Sequence, residues 1–267
     1  MPETGPHVDA PSATPAGAGK TRRQAVAALR AQLAGLTAPA RAEGPRIGLG
    51  HADFDADLPQ GGLPSGAVHA VQPGAHGDQP AALGFAAALA ARALAVLPGA
   101  LIWVRAPAVF DFGAPYAPGL AGFGLDPARL VQVRARTNQD ALWAAEEALR
   151  CRGAGAVVLE AGRGFAGACA RRLQLAAEAG GGFGVILGAA ETARSHWLVQ
   201  AAPSAAPAWS RGQGLPAILI PPGRFALRVR RRMAQSRERD FLMEWCDAAR
   251  GFHPLAVLAD GSLAAAA

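Results

Sequence analysis

The apolar positions of this chain change period along its length, and each change marks a different kind of element. Over residues 21–36, Val26, Leu29, Leu33 and Leu36 recur at steps of three and four. Arg22, Arg23, Arg30 and Gln32 take the other faces, which predicts an amphipathic helix. Residues 37–60 lose that period and are rich in Pro, Gly and Asp, so they read as a linker. From there on, short apolar runs at 67–71, 100–104, 130–133, 156–159 and 183–187 read as buried strands. Between them, 79–97, 115–123, 138–152 and 165–178 carry helical patterning. Strands alternating with helices of this length predict a parallel sheet covered on both faces, joined by right-handed crossovers.

Past residue 190 the rhythm changes. Residues 196–200, 217–220, 225–229 and 240–245 read as strands parted by Pro- and Gly-rich turns. Phe225, Leu227 and Val229 alternate with Arg228 and Arg230, the period of two expected of antiparallel strands with one wet face; a single helix over 224–245 is the competing reading. The expected fold is therefore α/β: a parallel sheet core flanked by helices, with an antiparallel C-terminal strand extension and an N-terminal helix. The expected organisation is a disordered tail over 1–20, the helix at 21–36, the linker at 37–60, the core with its C-terminal strands at 61–258, and a second disordered tail over 259–267.

Composition narrows the function classes. A chain of 267 residues that is 51% hydrophobic can bury one substantial core. The longest apolar stretch, 81–96, is interrupted by Gly84 and Arg92 and is short for a membrane span; with no signal-peptide pattern in the first residues, a cytoplasmic protein with no membrane partner is expected. Cys151, Cys169 and Cys246 are odd in number and widely spaced, which argues against a disulfide framework or a zinc knuckle. The six histidines, His7, His51, His69, His76, His196 and His253, show no metal-ligand spacing, and no Gly-x-Ser-x-Gly elbow occurs. Asp53, Asp55 and Asp57 alternate as in a calcium loop, but the twelfth position of that frame is Pro64 in place of a bidentate Glu. No catalytic residue, metal site or cofactor is expected. The net charge of +6 favours acidic partners. Its densest cluster is Arg228, Arg230, Arg231, Arg232 and Arg237, a candidate surface for nucleic-acid phosphates or an acidic protein; no aromatic residues interleave to stack bases.

The richest local chemistry lies between residues 57 and 79. Gly61, Gly62, Pro64 and Gly66 make a tight turn before the strand at 67–71, and a Gly-containing loop follows: Pro73, Gly74, Ala75, His76, Gly77, Asp78 and Gln79. A strand, a glycine loop and a long helix are the layout of a phosphate-binding loop, in which backbone amides cradle phosphates, a lysine neutralises them and a Ser or Thr holds magnesium. Here Asp78 and Gln79 follow Gly77. A carboxylate where a triphosphate would sit is repulsive by roughly 1 kcal/mol per charge at ~4 Å even in water. Among the 26 Lys and Arg residues only Lys20 is a lysine, and its Gly19-Lys20-Thr21 setting lacks both the upstream glycine (position 14 is Thr14) and a preceding strand. Glu160, at the end of the fourth strand of the series, stands where such ATPases keep a magnesium-directed acid, as does Arg163 nearby; without the phosphate loop neither has a metal–phosphate to serve.

The segment Gly61-Gly62-Leu63-Pro64-Ser65-Gly66, followed by strand, glycine loop and helix, resembles the start of the RecA ATPase core, and the order of elements is similar to about residue 187. More specifically, residues 115–134, PYAPGLAGFGLDPARLVQVR, with 138–149, NQDALWAAEEAL, resemble the ImuA family, RecA-like accessory proteins of the bacterial translesion mutasome. The likeness spans roughly 21–250, with 103–159 its most specific part. It implies a RecA-like core in a protein of the DNA-damage (SOS) response, with a non-enzymatic adaptor role in mutagenic DNA repair. The implied partners are ImuB, a relative of Y-family polymerases, and an error-prone C-family DNA polymerase. It further implies contact with RecA, or self-association into a homo-oligomer, through the helix carrying Val26, Leu29, Leu33 and Leu36; weak non-specific DNA binding is a further expectation. The alternatives are an ATP-dependent RecA-like DNA-binding ATPase and a SulA-like cell-division inhibitor.

Overall fold

In the computed structural model, described over residues 44–107, 113–162, 165, 167–203, 224–233 and 236–255, the continuous apolar runs lie at the centre of one sheet. The helix expected at 21–36, the strand expected at 217–220, Arg163 and both expected tails lie outside the described residues. The described residues open with a short ribbon, β1 (Arg46–Ile47) and β2 (Leu63–Pro64), around a one-turn helix α1 (Ala52–Ala56). Then come β3 (Ala67–Pro73), α2 (Gln79–Leu94), β4 (Ala100–Arg105), α3 (Ala117–Gly122), β5 (Leu130–Arg134) and α4 (Asn138–Arg150). They are followed by β6 (Ala154–Glu160), α5 (Gly167–Gly180), β7 (Phe183–Leu187), β8 (Ser195–Ala202), β9 (Arg224–Met233), β10 (Ser236–Cys246) and β11 (Gly251–Pro254).

Nine strands form one sheet in the order β11-β10-β9-β8-β3-β7-β6-β4-β5. The six from β8 to β5 pair in parallel, and β9, β10 and β11 extend the sheet antiparallel. This is the expected α/β architecture of a helix-flanked parallel sheet with antiparallel C-terminal strands, and the two-residue alternation of β9 is resolved as predicted: Leu227 and Val229 are buried while Arg228 and Arg230 are exposed. The competing helix over 224–245 does not form, because a stripe of period two would turn half of its apolar residues to solvent on a helix.

The two faces of the sheet are covered unequally. On one face the Ala-rich helix α2 packs along β3, β6, β7 and β8, and Phe85, Trp197, Trp245 and Phe252 join in one aromatic cluster. On the other, α4 and α5 cover β3, β4, β6 and β7, and that second core takes no residue from β8 to β11. The antiparallel extension thus has one packed face, and on its other face no described residue packs.

The described part of the expected linker, 44–60, instead belongs to the core: Ile47, Leu49, Phe54 and Leu58 are buried on the α2 face. Arg92 of α2 fixes this segment by donating to the Gly48 carbonyl at 2.9 Å, and the Phe252 amide donates to the Leu49 carbonyl at 3.0 Å along the β11 edge. Four apolar residues separated by Gly and Asp have no regular period, yet they pack because distant elements supply their partners.

Candidate functional site

The loop after β3 is a single tight turn that its own residues close. Gly74 and Gly77 are three positions apart, whereas the phosphate-binding motif separates its glycines by five. The Gly74 amide donates to the Val199 carbonyl at 2.8 Å, so the loop begins tied to β8. The Asp78 carboxylate then accepts from two amides at once: Ala75 within the loop at 2.9 Å, and Ala201 of β8 at 2.9 Å. The Asp78 amide returns to the Ala75 carbonyl at 3.0 Å. A Cβ on Gly74 would collide with the side chain of Gln200, which lies directly against that backbone. Of the loop's amides, Ala75 is taken by the Asp78 carboxylate, Gly74 by the Val199 carbonyl and Asp78 by the Ala75 carbonyl, so a phosphate would have to displace a charge-assisted bond fixed in the chain.

Glu160, at the end of β6, is equally engaged. Its Oε1 accepts from Trp103 Nε1 at 2.6 Å and lies 3.5 Å from Arg105 Nε, both on the adjacent strand β4. These partners hold the carboxylate between two strands.

Below the loop, where β3 meets β8, lies a buried polar chain that no local pattern announced. His69 Nδ1 is 2.7 Å from Ser195 Oγ, His69 Nε2 is 3.2 Å from the Pro64 carbonyl, and Trp197 Nε1 donates to Ser195 Oγ at 2.7 Å. A carbonyl can only accept, so Nε2 carries the proton and Nδ1 accepts from the serine. Burial pushes the His69 pKa down to about 4, against a smaller opposing effect of the Pro64 carbonyl, and its ring stacks on Phe183. Both ring nitrogens of His69, the Ser195 hydroxyl and Trp197 Nε1 all have partners, which marks a structural pin.

The arginine cluster divides. Cross-strand pairing places His196 beside Arg232, Leu198 beside Arg230 and Asp240, and Gln200 beside Arg228 and Leu242, all on the bare face. Arg228, Arg230 and Arg232 are exposed there in a column along β9. Arg230 is paired with Asp240 at 2.9 Å and Glu238 at 3.3 Å. Burial and the charge of Arg232 push the His196 pKa below its usual value.

Arg231 is not a surface residue. It lies on the opposite face, 1% exposed, donating to the Asp57 carbonyl at 2.6 Å with its guanidinium over Phe241. Its odd position in the alternation turns it inward with Leu227 and Val229, and it therefore leaves the expected acidic-partner surface. Of Arg237 only the backbone is described, in β10. Val26, Leu29, Leu33 and Leu36 lie outside the described residues.

Among the described residues no group of His, Cys, Asp and Glu is arranged to hold a metal ion, and no helix is long and apolar enough to cross a membrane.

No protein-family model matches the chain. It is similar to the curated protein named Protein ImuA in two strains of Caulobacter vibrioides: 32% identical over 253 residues, covering 86% of this chain and 97% of the relative.

Proposed function

The chain belongs to the ImuA family, and from that premise we propose that it is a non-enzymatic adaptor of damage-induced translesion DNA synthesis. In this reading it assembles an ImuB-like polymerase relative with an error-prone C-family DNA polymerase, and contacts RecA through the helix at 21–36. Adaptor work needs surfaces and a rigid frame; it does not need nucleotide turnover. The observation that carries the reading is the closed loop: Asp78 takes the Ala75 and Ala201 amides, and Gln200 lies against Gly74. A RecA-like core whose phosphate loop is tied to its own sheet is suited to binding proteins.

The test is capture of the tagged full-length chain from DNA-damaged cells, with the bound proteins identified. The ImuB-like protein and the C-family polymerase should be recovered. Leu29→Asp with Leu33→Asp should release at least one partner, RecA or a second copy while leaving the unfolding transition unchanged. Recovery of neither polymerase-related protein contradicts the adaptor reading. Cooperative unfolding of the double variant would show that the leucine stripe packs on its own core.

A further inference from the structure

The face of β8–β9–β10 that is bare among the described residues has a composition that solvation alone does not explain. Antiparallel sheets can leave one face wet, but such faces ordinarily balance charge across strands. Here β9 carries three arginines in one column, Arg228, Arg230 and Arg232, with like charges two residues apart. Asp240 and Glu238 neutralise only the middle one. Arg228 and Arg232 have no carboxylate partner among the described residues. Beside this column lie two aliphatic side chains, Leu198 at 37% exposure on β8 and half-buried Leu242 on β10. They line a depression of about 430 Å³ together with Gln200, Arg228, Arg230 and Asp240.

Two kinds of acidic ligand could meet these arginines, and the rest of the face chooses between them. Nucleic acid would place phosphates against Asp240 and Glu238, where like charges repel, and would find an aliphatic floor where single-strand binders present aromatic platforms. An acidic peptide uses both features. Arg228 and Arg232 are four residues apart on one strand, about 14 Å at the antiparallel rise. In an extended peptide running along β9, side chains i and i+4 project to the same side at that spacing, with i+2 between them. Two carboxylates would meet the two unmatched arginines, and an aliphatic side chain between them would enter the depression by Leu198 and Leu242.

We infer that the bare face of β8–β9–β10 is a docking site for an extended acidic segment of a partner protein, with the pattern Glu-x-Leu-x-Glu. This rests on the adaptor reading and names the chemistry by which one partner is held.

The experiment titrates the full chain with a labelled peptide of that pattern, the same peptide with Gln in place of both Glu, and a single-stranded oligonucleotide. The Glu peptide should bind saturably, and the Gln peptide should bind about tenfold more weakly, the scale of two exposed ion pairs. Arg228→Ser with Arg232→Ser should cause a similar loss, and Arg228→Lys with Arg232→Lys should retain most of the affinity. Leu198→Ser with Leu242→Ser should weaken binding without changing its salt dependence. Equal affinity for the Glu and Gln peptides, indifference to the arginine or leucine changes, or tighter binding of the oligonucleotide at this face would each overturn the inference. If the peptide fails to bind while the intact chain still captures its polymerase partners, the docking site is wrong and the adaptor reading stands; failure of both removes the adaptor reading itself.

Discussion

At the join of β3 and β8 the imidazole of His69 is locked neutral by what surrounds it, and this sets a pH dependence for the whole fold. Its pKa is lowered from 6.5 to about 4 by burial, so between those values the unfolded chain takes up a proton that the folded chain refuses. Stability contributed by the neutral ring is complete above pH 6.5 and is lost as pH falls towards 4, by about 3 kcal/mol from this group. His196, whose pKa is lowered in the same direction, adds to the same slope. Urea unfolding followed across this range should show the loss, and His69→Gln should flatten the His69 part of it; an unchanged slope in the variant contradicts the assignment. Sequence alone separated His69 from any metal pattern. It could not pair the ring with Ser195, which is 126 positions away. The missing loop lysine was legible, because motif chemistry is local. The use made of Asp78 was not, since one of its two donors is Ala201 of β8.

Among the elements, the β9–β10 hairpin separates what pattern can tell from what charge suggests. Alternation correctly turned Arg228 and Arg230 outward, and the same parity turns Arg231 inward. Charge density alone had grouped Arg231 with its neighbours as a surface cation. The Asp57 carbonyl and the Phe241 ring help to make its burial tolerable, and neither is visible from the arginine run. Arg231→Ala should therefore destabilise the protein by about 2 kcal/mol or more, by emptying a packed site and stranding the Asp57 carbonyl. Arg228→Ser and Arg232→Ser should stay within about 0.5 kcal/mol, as exposed substitutions do. Thermal or urea midpoints of the three variants decide this, and equal effects would mean that Arg231 is not the buried member. The segment 44–60 teaches the complementary lesson. Its Pro, Gly and Asp content concealed a buried ribbon whose partners, Arg92 and Phe252, belong to α2 and β11.

For the molecule as a whole, the change from helix-separated apolar runs to two-residue alternation was enough to read a parallel sheet with an antiparallel extension. What it could not read was which faces would remain uncovered, since that depends on where α4 and α5 come to rest. The sheet that results joins a glycine loop tied to β8 on one strand end to an arginine-rich face two strands away that no described residue covers, and both follow from β8, which ties the loop at Val199 and Ala201 and lines the face with Leu198 and Gln200. In the proposed adaptor reading this core works without nucleotide. Calorimetric titration of the intact chain with Mg·ATP tests it most directly. No saturable heat is expected up to about 1 mM, the weak end of ordinary substrate affinities. Saturable binding that disappears when Gly74 and Gly77 are altered would contradict it, and would return the protein to the ATPases.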